Sequence, residues 1–79
     1  MKIWVFAGLA EALGESSITI DLTLPVKVAD VRSALGEQYP EAKSALQLCF
    51  AAVNQKFANE ETVIYDGDEI ALIPPVSGG

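Results

Sequence analysis

One stretch of this chain reads as a helix of useful length, and that limits what the rest can become. Over Val28–Tyr39, the residues Val28, Val31 and Leu35 fall at i, i+3 and i+7 with Ala34 beside them, which draws a single apolar stripe. Asp30 stands near the N-terminus, where negative charge suits the helix dipole. No Ser, Thr or Asn precedes Val28, so the start is weakly specified. Gly36 in the interior costs the helix about 1 kcal/mol. Pro40 ends it, Tyr39 ahead of the proline is pushed out of the helical region, and Pro40 opens a short second turn through Glu41–Leu46.

Most of the remaining apolar segments read as strands. Lys2–Phe6 is β-branched and aromatic, with Ile3 and Val5 on one face and Trp4 and Phe6 on the other. Ser17–Leu22 alternates Ile18, Ile20 and Leu22 against Ser17, Thr19 and Asp21, the pattern of a half-buried strand at a sheet edge that Pro25 closes. Between these two lies Ala7–Gly14, short and bracketed by glycines, expected as a loop with one helical turn. Phe50–Val53 is expected as a buried strand, Asn54-Gln55 as a turn and Lys56–Ala58 as a short return strand. Asn59–Thr62 reads as polar loop and Val63–Tyr65 as a brief extended piece.

The order is therefore β, β, α, β, β, β, an α+β chain with a sheet of about five strands and one main helix packed on one face. One helix cannot cover both faces. If Ile3, Val5, Ile70 and Leu72 point to the helix, then Trp4, Phe6, Ala71 and Ile73 point away and leave an apolar face that marks an interaction site. The alternative is that Ala7–Gly14 folds over it.

The last stretch, DGDEIALIPPVSGG, reads as turn, strand, stiff exit and thin end. Asp66-Gly67-Asp68 is turn chemistry, and Glu69–Ile73 is apolar enough for a central strand. Pro74 and Pro75 cannot donate to a ladder, so pairing stops and the chain leaves extended. Val76, Ser77, Gly78 and Gly79 then form a tail within 74–79. Without Cβ atoms, Gly78-Gly79 is narrow enough to thread a slot in another protein and present an unhindered carboxylate. A frayed or truncated end is the plain alternative; the prolines and the strand that aims the tail favour a working one.

Composition removes other classes. At 79 residues the chain is expected to be one domain, residues 1–79, burying only about 60% of its unfolded surface. Net charge is −6, which argues against nucleic acid and permits docking on a basic protein surface. There is no histidine, so Cys/His metal sites and the common catalytic triads are ruled out by inventory. Gly8 and Gly14 are isolated and belong to no phosphate loop. The single cysteine, Cys49, lies in an apolar run and is expected to be a buried thiol. The start carries no signal-peptide pattern and no stretch suits a membrane helix, so a cytoplasmic protein without a membrane partner is expected.

Phe6-Ala7, Ala51-Ala52-Val53-Asn54-Gln55, Asp66-Gly67-Asp68-Glu69 and Pro74–Gly79 together resemble the sulfur-carrier (small) subunits of molybdopterin synthase, in the ubiquitin-like β-grasp family. The resemblance runs the full length; its specific part is the end. It implies that an E1-like adenylyltransferase uses MgATP to activate the Gly79 carboxylate, with Gly78 as the slim approach. A persulfide sulfur donor system then leaves a thiocarboxylate. The tail delivers that sulfur to cyclic pyranopterin monophosphate in the large subunit, within a heterotetramer. It also implies that Phe6, Phe57 and Ile73 form the docking patch, joined by Trp4 from the face assigned above, and that the chain itself binds no cofactor or metal and catalyses nothing alone. Many members carry Arg or Lys at the position of Ala10; this chain does not. Two other uses of such an end stay open: sulfur carriage for thiazole, cysteine or tRNA thiolation, and conjugation to lysines as a ubiquitin-like modifier.

Overall fold

The computed structural model describes residues 1–75. Strand β1 (Lys2–Val5) runs into helix α1 (Ala7–Leu13), followed by β2 (Ser17–Thr19), β3 (Val26–Lys27) and the main helix α2 (Val28–Gln38). A 3-10 turn at Pro40–Ala42 leads into α3 (Lys43–Leu48). Strands β4 (Phe50–Val53), β5 (Lys56–Ala58), β6 (Val63–Ile64) and β7 (Ile70–Ile73) complete the order.

The main sheet has the order β2-β1-β7-β4-β5, with β1 and β7 parallel at its centre and every other pair antiparallel. Strands β3 and β6 pair separately as a small two-stranded sheet. This is the expected sheet of about five strands with its main helix on one face, and its strand directions are mixed. Ile3, Val5, Ile18, Ile70 and Leu72 project from the sheet into the core, where they meet Leu9 of α1, Val28, Val31 and Leu35 of α2, and Leu46 of α3.

Three expectations need correction. Ala7–Gly14 is an α-helix, not a loop with one turn. Leu9 is buried in the core, and Gly14 closes the helix at φ +74 with its N–H on the Ala10 carbonyl at 2.8 Å. Burial of one face and a left-handed glycine stop outweigh the shortness of the segment. Phe50–Val53 is not buried throughout: Ala51 and Ala52 are buried, but Phe50 is 55% exposed. The strand expected over Ser17–Leu22 is assigned only to Ser17–Thr19, although Met1 and Ile20 extend the pairing through reciprocal N–H···O bonds at 3.0 and 2.9 Å.

The weakly specified start of α2 is completed from a distance. The Asp30 carboxylate accepts the Lys27 N–H at 3.0 Å, and the Thr62 and Glu60 carbonyls accept the N–H groups of Val28 and Ala29 at 3.0 and 3.1 Å. Free amides of a first helical turn are thus satisfied by the polar loop before β6. Salt bridges Lys27–Glu61 and Arg32–Glu60, both 2.8 Å, tie that loop to the same helix. The Glu61 hydrogen bond and charge hold the Lys27 ammonium above its ordinary pKa. Arg32 also donates to the carbonyls of Leu46 and Cys49, stapling the end of α3 to α2. At the other end of α2, Tyr39 leaves the helix at φ −125 as its proline dictates.

Candidate functional site

The strand registers build the face opposite the helices. Trp4 pairs with Ala71, Ala71 with Ala52, and Ala52 with Phe57, so these four share one row across β1, β7, β4 and β5. In the next row Ile73 pairs with Phe50. Phe6 follows β1 directly and is 48% exposed. Alternation does the sorting: the partners of opposite parity, Val5, Leu72 and Ala51, are buried on the helix side.

The two alanines make the centre of this face low. Ala52 and Ala71 floor a groove of about 360 Å³ whose walls are Phe6, Phe57 and Ile73 and whose polar rim is Gln55 and Glu69. Phe57 stands at one side, 77% exposed, with its ring edge-to-face with Phe50, centroids 6.0 Å apart. Helix α1 does not cover the face; its buried residue is Leu9, on the helix side.

Of the residues singled out from sequence, Phe6, Phe57 and Ile73 come together around this one groove. Trp4 lies on the same face but lines a neighbouring cleft beside the Tyr65–Glu69 turn, with the Lys2 ammonium 4.3 Å from its ring centre. Ile73 is both the last residue of β7 and a wall of the groove, so Pro74 and Pro75 depart from its rim, off a central strand. Val76, Ser77, Gly78 and Gly79 lie outside the described residues.

Phe50 and Ala52 were not assigned to this face from the sequence. An all-apolar run such as Phe50–Val53 carries no alternation to say which side is which. The usable signal is the register of β4 against β7, which follows only once the two are paired.

The AAVNQ and DGDE motifs, by contrast, build the frame of the site. Asn54 and Gln55 take φ +53 and +68, the left-handed pair that a two-residue hairpin turn needs. Asn54 then bonds across to the second turn, where Asp68 accepts the Tyr65 N–H at 2.8 Å and the Asn54 amide at 3.0 Å. Those two bonds hold the Asp68 carboxyl below its ordinary pKa. Cys49 is buried, as expected, with its thiol donating to the Ala45 carbonyl at 3.2 Å. Burial pushes the thiol up, against the opposing pull of Arg32. Among the described residues no cluster of three His, Cys, Asp or Glu side chains is placed to hold a metal, and no helix is long and apolar enough to cross a membrane.

The ThiS family signature matches residues 3–79. The chain belongs to the ThiS family. Its similarity to the molybdopterin synthase sulfur carrier subunit of Dictyostelium discoideum is 41% identity over 81 residues, covering 99% of this chain and 94% of that one. Among solved structures, SAMP1 from Haloferax volcanii superposes with a TM-score of 0.84 at 30% identity, covering 99% of this chain and 97% of that one. The complex of subunits 1 and 2 of the molybdopterin-converting factor from Helicobacter pylori contains a chain that matches with a TM-score of 0.67 at 26% identity, covering 99% and 96%. The ThiS-family match and these neighbours agree with the ubiquitin-like β-grasp fold.

Proposed function

We propose that this chain is the sulfur-carrying subunit of a molybdopterin synthase. The observation that carries the reading is the full-length 41% identity to a molybdopterin synthase sulfur carrier subunit. It is supported by an apolar groove whose wall, Ile73, leads straight into the Pro-Pro exit. In this reading the large subunit covers Phe6, Phe57 and Ile73, with Trp4 at the margin, and Val76–Gly79 reach into its active site.

The chemistry follows from the functional group at the end. A carboxylate is a poor electrophile, so an E1-like enzyme first joins the Gly79 carboxylate to AMP from MgATP, releasing pyrophosphate. The outer sulfur of a persulfide in the donor system attacks the acyl carbon and AMP leaves; a second thiol of that system then attacks the remaining S–S bond, forming a disulfide and releasing the thiocarboxylate. Such a group is a stronger acid than a thiol and stays ionised at neutral pH, a soft nucleophile that needs no base from its own chain. The sulfur then bonds to cyclic pyranopterin monophosphate in the large subunit, water hydrolyses the acyl carbon–sulfur bond, and the carrier returns as a carboxylate. The absence of histidine fits a carrier whose partners hold the catalytic groups.

The test is to supply the purified chain with its activating enzyme, MgATP and a sulfur donor, read its intact mass, and add large subunit and precursor. Exchange of one terminal oxygen for sulfur, followed by molybdopterin formation, is the expected result. A chain that never gains sulfur under these conditions sinks the proposal. The likeness to SAMP1, described as a small archaeal modifier protein, favours a second reading in which the same activated end is joined to lysines. Isopeptide-linked Gly79 in cell digests is the finding that would select it.

A further inference from the structure

We infer that Phe50 is a positioning residue of the docking face, setting the ring of Phe57 and through it one wall of the groove. The inference rests on the reading that the large subunit occupies this face. Phe57 is 77% exposed and stands on β5, a three-residue strand that among the described residues pairs with β4 only. The residue directly opposite it is Ala52, whose methyl gives a large ring little to lean on. A side chain left free in this way must be ordered on binding, and that ordering weakens affinity.

Phe50 supplies the missing support. It lies diagonally across from Phe57, and the two rings meet at 69° with centroids 6.0 Å apart, the edge-to-face geometry that aromatic quadrupoles favour. On its other side Phe50 is the cross-strand partner of Ile73, a second wall of the groove. Yet Phe50 does not itself line the groove. The core does not use it either: Phe50 is 55% exposed, while its neighbour Ala51 turns inward. Its place is that of a buttress, between the strand of Ile73 and the ring of Phe57, that acts on the groove through Phe57.

The experiment titrates purified large subunit with the full chain carrying Phe50→Ala, Phe50→Tyr, Phe57→Ala, the double Phe50→Ala/Phe57→Ala, or Ile73→Asp. Aromatic NMR spectra and melting curves are recorded for each free chain. Phe50→Ala is expected to weaken binding about 3- to 10-fold while Phe50→Tyr, which keeps the ring, binds like the parent. In the Phe57→Ala background the Phe50→Ala change is expected to add less than about 2-fold, the non-additivity of two residues in contact, where independent sites would add the full factor. In the free chain, Phe50→Ala is expected to shift the Phe57 ring resonances.

Unchanged Phe57 resonances, or parent-like affinity of Phe50→Ala, overturn the positioning role while a weak Ile73→Asp complex leaves the docking reading standing. An equal loss from Phe50→Ala with and without Phe57 also overturns it, since Phe50 would then act on the partner by itself. Parent-like binding by Ile73→Asp, or no binding by the parent chain, removes the docking reading and this inference with it.

Discussion

The side-chain amide of Asn54 donates to the Asp68 carboxylate at 3.0 Å, and its carbonyl oxygen accepts the Glu69 N–H at the same distance. Two turns far apart in sequence are thereby clamped together at one end of the β4–β7 pair, and the Asn54 N–H adds a backbone bond to the Glu69 carbonyl at 2.7 Å. The clamp sits at the end of the register that aligns Ala52 with Ala71 and Phe50 with Ile73. Replacing Asn54 by Ala removes both side-chain bonds and puts a less tolerant residue at φ +53; a loss of about 1 kcal/mol in urea unfolding is expected.

The same clamp carries a pH signature. The Asp68 pKa is lowered in the folded chain by its bonds to the Tyr65 N–H and Asn54. Its contribution to stability is therefore present above the unfolded carboxyl value, about 3.9, and is lost as pH falls through the lower folded value. Asp68→Asn is expected to flatten the acid limb of a melting-temperature profile, and a parallel profile for both chains would contradict the assignment.

Neighbouring residues of β7 are expected to respond oppositely to the same change. Ile73→Asp places a charge on the outer face and is expected to weaken large-subunit binding by more than about tenfold while the chain still folds. Leu72→Asp places it in the core, where Leu72 is 1% exposed, and is expected to abolish the cooperative transition. Phe6→Asp should behave like the first. Circular dichroism melts beside binding titrations read both effects.

Arg32 bonds two carbonyls at the end of α3 and a carboxylate of the 59–62 loop. Arg32→Lys keeps the charge but not the fork that reaches all three, so a loss of roughly 1–3 kcal/mol is expected, with faster amide exchange around Leu46–Cys49. A variant as stable as the parent would show that the staple is idle.

Gly36→Ala is expected to stabilise the chain by about 0.5–1 kcal/mol, because a Cβ there would meet the Lys43 side chain at 3.4 Å, an ordinary contact, while gaining helix propensity. The shift in urea midpoint at constant slope measures it.

Local chemistry alone was enough for much of the chain. The stripe through Val28, Val31 and Leu35 located the main helix, Pro40 stopped it, and a single helix beside the two apolar faces of Lys2–Phe6 and Glu69–Ile73 implied that one apolar sheet face stays outside the core. These features depend on near neighbours, which is why they can be read along a line. Tertiary structure decided what depends on distant partners: that Leu9 makes Ala7–Leu13 a helix by entering the core, that the 59–62 loop completes the start of α2, and that Phe50 turns outward beside Ile73. A continuous apolar strand gives no internal sign of its orientation. That sign comes from the strand paired beside it, held in register by bonds between residues that the sequence sets far apart.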